Sequence, residues 1–150
     1  MTLIILFIIF LLKMAYDDYL HYKFFLKDLW VHTLITIIYA ITKDQDYLLK
    51  LLNIFFISFF IGLIYVLNKK YDFIQWGDLW VLWNCWVFLI IYNDHHWFIT
   101  LKFFLLFFIY NGVLFIIDHK TNKIPAVYII FWTTLNILVP SIIIKYCLKN

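Results

Sequence analysis

The sequence predicts an all-α membrane protein, a polytopic bundle of about six transmembrane helices. Hydrophobic residues make up 66% of its 150 residues and charged residues 14%, whereas soluble domains average roughly 45–50% apolar and about 25% charged residues. So little polar surface cannot cover a water-soluble globule, and lipid is expected to solvate much of the outside. The apolar runs are continuous rather than alternating, which favours helices over the strands of a membrane barrel.

Six apolar stretches are separated by short charged or turn-prone clusters. At about 20 residues per span they would use most of a single domain covering residues 1–150. No basic residue precedes the first stretch and no small-residue cleavage site follows it, so it is predicted to be a retained helix rather than a signal peptide. The stretches cover residues 2–16, 29–42, 47–67, 79–93, 97–117 and 125–144.

The lysines predict the orientation of these helices. If the helices alternate, one face receives the loops after the first, third and fifth helices and carries seven lysines, whereas the other face carries five. The positive-inside rule then makes the richer face cytoplasmic and puts the N-terminus outside. The lysines of the richer face are Lys13, Lys23, Lys27, Lys69, Lys70, Lys120 and Lys123.

The charged and sulfur-containing residues exclude several functions. The chain has no arginine, so it has no bidentate clamp for phosphate, and no dense basic face indicates nucleic-acid binding. His95 and His96 diverge on a helix and have no further metal ligand nearby in the sequence, so they are predicted to be solvated loop residues. Cys85 and Cys147 lie in apolar segments and are predicted to be small buried hydrophobes. Neither a metal nor a cofactor is expected.

Four of the nine aspartates stand beside predicted spans on the face predicted to be cytoplasmic. Removing an ionised carboxylate from water is costly, so an acid at the edge of a span is expected to have a structural or a chemical role. These four residues are Asp17, Asp18, Asp78 and Asp118.

Asp78 opens the fourth apolar stretch directly after Gly77, one of three glycines in the chain. A glycine allows another part of the protein to approach the backbone closely, and the helix dipole favours the ionised form of an acid at a helix N-terminus. Asp78 therefore either caps its helix or takes part in chemistry there.

Asp18 closes the first predicted helix on the same face, so a bundle could bring its carboxyl close to that of Asp78. Two carboxyls that share a site do not both ionise readily, and they titrate as a coupled pair with one raised pKa. The ionised carboxylate can then act as a general base on water while the protonated one polarises a carbonyl. This is the chemistry of an aspartic protease, and it needs no metal or cofactor.

The motifs around these acids resemble those of the prepilin peptidases, the membrane aspartic proteases of type IV pilus, Tad pilus and archaeal preflagellin systems. The first motif of the family, Asp-x5-Ile-Pro-Asn, is similar to Asp18 followed by Phe24-Phe25-Leu26. The second, Gly-x-Gly-Asp, is similar to Gln75-Trp76-Gly77-Asp78. A basic, proline-containing segment before the last helix of many members resembles Lys123-Ile124-Pro125-Ala126.

Two other aspartates could replace Asp18 in this pair. Asp17 is adjacent to it, and Asp118 is followed after five residues by Ile124-Pro125-Ala126, which fits the first motif more closely. We prefer Asp18 because it keeps the family's order of motifs, with the first acid ahead of the Gly-Asp pair.

The resemblance implies an aspartyl endopeptidase of the inner membrane that removes a basic leader from prepilin-like substrates at the cytoplasmic membrane boundary. The chain has no room for the cysteine-bearing loop of the methylating members, so no methyl transfer is expected. The alternative is a non-catalytic membrane protein, such as a pilus or secretion assembly subunit, a degenerate homologue or a small transporter. The implied catalytic residues are Asp18 and Asp78, with Gly77, Asp17, Asp118, Lys123 and Pro125 in support.

Overall fold

The computed structural model describes residues 2–21, 23–43, 58, 62, 76–93, 96–117 and 125–147, and every regular element in this part of the chain is an α-helix. The predicted all-α class is confirmed. The predicted span at residues 47–67 lies outside the described residues, apart from Ser58 and Gly62. The five described helices are α1 (Thr2–His21), α2 (Leu26–Thr42), α3 (Trp76–Tyr92), α4 (His96–Ile117) and α5 (Ala126–Cys147).

The observed helices extend beyond the predicted stretches into charged residues. α1 continues past residue 16 through Asp17 and Asp18, and α2 begins at Leu26 rather than at residue 29. The predicted stretches stop at an aspartate, but the helices do not, and Asp28 in the first turn of α2 is favourable next to the helix dipole.

The prediction of six membrane spans is not supported by the described residues. By length and apolar composition, one described helix is suited to cross a bilayer, namely Ala126–Tyr146. A spanning helix needs about 20 apolar residues at about 1.5 Å each. The apolar parts of α3 and α4, Gly77–Tyr92 and Phe98–Asn111, are shorter than that. α1 is long enough but carries Lys13 and two aspartates within it.

Four of the described helices form a ring. α1 lies against α2 and α5, and α3 lies against the same two helices, while α4 packs on the outside against α3 and α5. The rings of Phe7 in α1 and Phe88 in α3 stack across the centre with their centroids 3.8 Å apart. The two helices that carry Asp18 and Asp78, α1 and α3, are therefore opposite members of the ring.

α2 and α3 run in the same direction. Near their first turns, the rings of Trp30 and Trp80 lie edge to face with centroids 5.1 Å apart. Just after the end of α2, the Lys43 ammonium donates hydrogen bonds to the carbonyl oxygens of Ile91 and Tyr92 at the end of α3, at 3.2 and 3.3 Å. The chain between α2 and α3 thus leaves one end of the ring and re-enters at the other.

α1 runs opposite to α5, which is parallel to α3. The last turn of α1 reaches the first turn of α5 through Asp18 and Val127, and Lys145 near the end of α5 lies over the ring of Tyr92 at the end of α3. The last turn of α1 and the first turns of α2, α3 and α5 therefore lie at the same end of the ring. We call it the aspartate end, because it holds the four described aspartates, Asp17, Asp18, Asp28 and Asp78.

The centre of the ring is a continuous stack of aromatic side chains. Phe7 packs on His32 with centroids 4.3 Å apart and on Phe88, which in turn packs on Tyr39 at 4.5 Å. All four side chains are buried. Such close-packed contacts hold α1, α2 and α3 in register, and they also fix the position of the aspartate end of each helix.

The outward faces of the helices are apolar as well. On α4, Leu101 is 70% exposed and Phe108 is 64% exposed, and on α1 both Ile5 and Ile9 are 53% exposed. Soluble proteins rarely expose contiguous apolar faces, and a helix that is apolar on all sides is typical of a buried or membrane environment.

Candidate functional site

Asp18 is buried because it continues the inward stripe of α1. Phe7, Leu11 and Met14 follow one another at helical spacing and are fully buried, and Asp18 is the next position on the same face. Asp18 is 5% exposed. The periodicity of α1 thus brings a carboxyl to the inside of the ring, just beyond the end of the predicted span.

The carboxylate of Asp18 contacts the beginning of α5. Its Oδ2 accepts a hydrogen bond from the Val127 backbone N–H at 2.8 Å. The first N–H groups of a helix have no partner within that helix, so Asp18 caps α5 from a different helix. Burial raises the pKa of Asp18 above its ordinary value of 3.8, while the backbone N–H groups of Val127 and Tyr128 oppose that rise.

Gly77 holds the beginning of α3 against the turn between α1 and α2. A Cβ atom at position 77 would lie 2.8 Å from the Cζ atom of the Phe24 ring, closer than real contacts allow. Only glycine leaves room for this approach without a shift of the ring. Asp78 follows in the first turn of α3 and is 8% exposed. The close contact keeps this acid at the same end of the ring as Asp18.

Lys13 joins two further aspartates at this end. Its ammonium donates a hydrogen bond to Asp28 in the first turn of α2, and it lies 3.9 Å from Oδ2 of Asp17 one turn along α1. Asp28 is buried, whereas the Lys13 side chain is 46% exposed. Asp28 was not among the predicted site residues, although a lysine inside an apolar helix indicates a nearby counter-ion.

Replacing Lys13 by methionine is expected to lower the free energy of unfolding by about 2 kcal/mol. Methionine keeps the apolar stem but leaves the buried Asp28 carboxylate without its cation. The exposure of Lys13 keeps the expected loss below that of a fully buried pair. The measurement is equilibrium unfolding in detergent followed by circular dichroism.

The matched control is Lys23→Met, which removes an exposed lysine at the same end and should change stability by less than about 0.5 kcal/mol. Adding Asp28→Asn to Lys13→Met should restore most of the loss, because the stranded charge is then gone. Equal losses for Lys13→Met and Lys23→Met would show that the Lys13–Asp28 pair does not stabilise the fold.

The late motif is described only at Pro125. Asp118 and Lys123 lie outside the described residues, so no contact of either is known. Pro125 directly precedes α5, and its carbonyl oxygen accepts the first hydrogen bond of that helix, from the Ile129 N–H at 3.3 Å. A proline at this point starts the helix that presents the Val127 N–H to Asp18.

An apolar groove of about 560 Å³ runs along α2 and α3 from the aspartate end. It begins at Leu79 and Trp80, directly after Asp78, and Trp30 and Trp83 form more of its wall. Ser58 also lines the groove, and its hydroxyl accepts a hydrogen bond from the Trp83 indole N–H at 2.9 Å. The groove is wide enough for apolar side chains and lies beside the acid.

Several buried polar residues were missed by the sequence analysis. The side-chain amide of Asn84 in α3 donates to Thr33 Oγ1 in α2 at 2.9 Å, and the Thr33 hydroxyl donates to the Leu29 carbonyl. Both ring nitrogens of the fully buried His32 lack a hydrogen-bond partner within the described part of the chain. These residues could have been found from the sequence, because they are single polar residues within otherwise apolar helices.

Within the described ranges, no three histidine, cysteine or aspartate side chains come together in an arrangement that could hold a metal ion. Comparisons with protein-family models, with curated protein sequences and with solved structures each find no match to this chain.

Proposed function

We propose that the chain is a multi-pass protein of the inner membrane and acts there as an aspartyl endopeptidase on prepilin-like substrates. The observation that carries the proposal is the burial of two carboxyls, Asp18 and Asp78, at the same end of one helical ring. The proposed active site is the aspartate end, facing the cytoplasm.

The membrane location is supported by the outside of the molecule. The helices expose large aliphatic and aromatic side chains to their surroundings, and α5 contains an apolar stretch of 21 residues. Lipid solvates such faces, whereas water does not. α2 and α3 run parallel to each other, as the second and fourth helices of an alternating six-span arrangement would.

In the proposed chemistry, one of the two carboxyls is ionised and the other is protonated. The ionised carboxylate takes a proton from a water, whose oxygen attacks the scissile carbonyl carbon, while the protonated carboxyl donates a hydrogen bond to the carbonyl oxygen. The tetrahedral intermediate then collapses, the C–N bond breaks and the leaving nitrogen receives the proton that the base took from water. The raised pKa of Asp18 suits it to the protonated role, with Asp78 as the base.

The proposed substrate has a short basic leader followed by an apolar helix. The groove beside Asp78 offers an apolar wall for such a helix. The reaction needs no cofactor.

A second candidate is a non-catalytic assembly subunit or degenerate homologue that binds such a helix without cutting it. The observation that favours it is the hydrogen bond from the Val127 N–H to Asp18, which gives this carboxylate a purely structural use.

The test is cleavage of a prepilin-like peptide with a lysine-rich leader by the purified protein in detergent, with the released leader measured by mass spectrometry. Asp78→Asn should slow cleavage at least about 100-fold, because the base is lost. Asp44→Asn is the charge-matched control and should leave the rate unchanged, because Asp44 follows the second predicted stretch and so belongs to the predicted face opposite Asp78. Cleavage by Asp78→Asn at the wild-type rate would remove Asp78 from the mechanism, and an inactive wild-type protein would favour the non-catalytic candidate.

A further inference from the structure

A pocket of about 370 Å³ opens at the other end of the ring, where the end of α3, the beginning of α4 and the last turns of α5 meet. We call this the lysine end, because Lys43, Lys102 and Lys145 lie there. The pocket has a polar rim and an apolar wall. We call its polar lining residues the rim, namely Lys102, Lys145, Asn93 and Ser141. We call its apolar lining residues, which include Phe98, the wall.

The positive charge at this pocket is not balanced by a described carboxylate. The four described aspartates are all at the aspartate end, and in the described part of the chain neither Lys102 nor Lys145 forms an ion pair. Ammonium groups without a counter-ion beside a concave surface attract anions.

Tyr92 also belongs to this end of the ring. Its ring also lies in the lining, and the Nζ atoms of Lys145 and Lys43 lie 5.1 and 5.4 Å from the ring centroid. The Tyr92 hydroxyl is buried and has no hydrogen-bond partner among the described residues. Because this hydroxyl has almost no accessible surface, an anion in the pocket would be held by the charges of Lys102 and Lys145 rather than by Tyr92.

We propose that this pocket binds a phosphate-bearing anion, supplied by the headgroup of an anionic phospholipid. A lysine ammonium recognises phosphate as a point charge. The apolar wall beside the rim continues onto the exposed side chains of α4, where Phe98 is 66% exposed, and this surface suits an acyl chain. A free phosphate ion would use the rim and leave the wall empty.

The proposal does not depend on peptidase activity, because the pocket shares no residue with the aspartate end. A phospholipid as the source does rest on the proposed membrane location. That location has its own readout, namely whether the protein stays monodisperse when detergent is removed.

The experiment is a titration of the full-length protein in neutral detergent with phosphatidylglycerol, phosphatidylcholine and inorganic phosphate, with bound species measured by native mass spectrometry. The wild-type protein should bind phosphatidylglycerol at least about ten-fold more tightly than phosphatidylcholine. The double variant Lys102→Gln/Lys145→Gln should lose about 25-fold in phosphatidylglycerol affinity, since each lysine near a lipid surface contributes about five-fold. Lys102→Arg/Lys145→Arg keeps the charge and should bind like the wild type.

The matched control is Lys23→Gln/Lys27→Gln, which removes two exposed lysines at the aspartate end and should leave the affinity unchanged. An equal loss in this control would overturn the proposal by showing a general effect of net charge. Unchanged binding by Lys102→Gln/Lys145→Gln would overturn it as well. If inorganic phosphate alone binds as tightly as phosphatidylglycerol, the lipid source is overturned and the ligand is the free ion.

Discussion

Replacing Asp18 by asparagine is expected to remove the proposed cleavage while leaving the fold intact. Asparagine retains an oxygen that accepts the hydrogen bond from the Val127 N–H, and asparagine and aspartate cap helices about equally well. Asparagine cannot supply the protonated carboxyl that the proposed chemistry requires, so the cleavage rate should fall at least about 100-fold. The measurements are leader release by mass spectrometry and unfolding followed by circular dichroism.

Asp18→Leu separates the structural use of the carboxylate from the chemical one. Leucine has the same branched outline but leaves the buried Val127 N–H without a partner, which should cost about 1–3 kcal/mol of unfolding free energy in addition to activity. Both variants should lose cleavage activity, but only Asp18→Leu should lose stability. If Asp18→Asn cleaves at the wild-type rate, Asp18 only caps α5. Asp17 and Asp118 then remain as the candidates for the second catalytic acid.

The positions of the helices could be predicted from the sequence, but their ends could not. Five of the six apolar stretches correspond to the described helices, and the other, residues 47–67, lies outside the described residues apart from Ser58 and Gly62. The predicted first helix ends before Asp17 and the second begins after Asp28, yet α1 carries Asp17 and Asp18 within its last two turns and α2 carries Asp28 in its first. The dipole favours Asp28 at the beginning of α2, whereas Asp18 at the end of α1 accepts a hydrogen bond from the Val127 N–H, so hydropathy locates the middle of a helix better than its boundary.

The partners of the buried charges could not be predicted, because each depends on which helices become neighbours. Asp18 contacts Val127, 109 residues further along the chain, and Lys13 contacts Asp28, 15 residues away. Neither separation corresponds to a spacing within one helix. The need for a small residue at Gly77, by contrast, was visible locally, although the identity of Phe24 as the contacting ring was not.

Replacing Phe88 by alanine is expected to cost about 3 kcal/mol of unfolding free energy, the largest stability loss of the predicted variants. Phe88 is fully buried and lies between Phe7 and Tyr39 in the central stack, with centroids 3.8 and 4.5 Å away. Truncation leaves a cavity in a close-packed region, and losses of about 3–5 kcal/mol are usual for such changes in water. The measurement is equilibrium unfolding in detergent.

The expected loss for Phe88→Ala lies at the lower end of that range because the protein is proposed to lie in a bilayer. In a bilayer or micelle the unfolded reference state is itself apolar, so transfer from water contributes little and the lost packing contacts dominate. Phe108→Ala on the outside of α4 is the size-matched control, and it should change stability by less than about 0.5 kcal/mol. Phe88→Leu should recover more than half of the loss, since it refills most of the cavity. Equal effects of Phe88→Ala and Phe108→Ala would contradict a packed ring of helices, and with it the rigid placement of Asp18 and Asp78 on which the proposed chemistry depends.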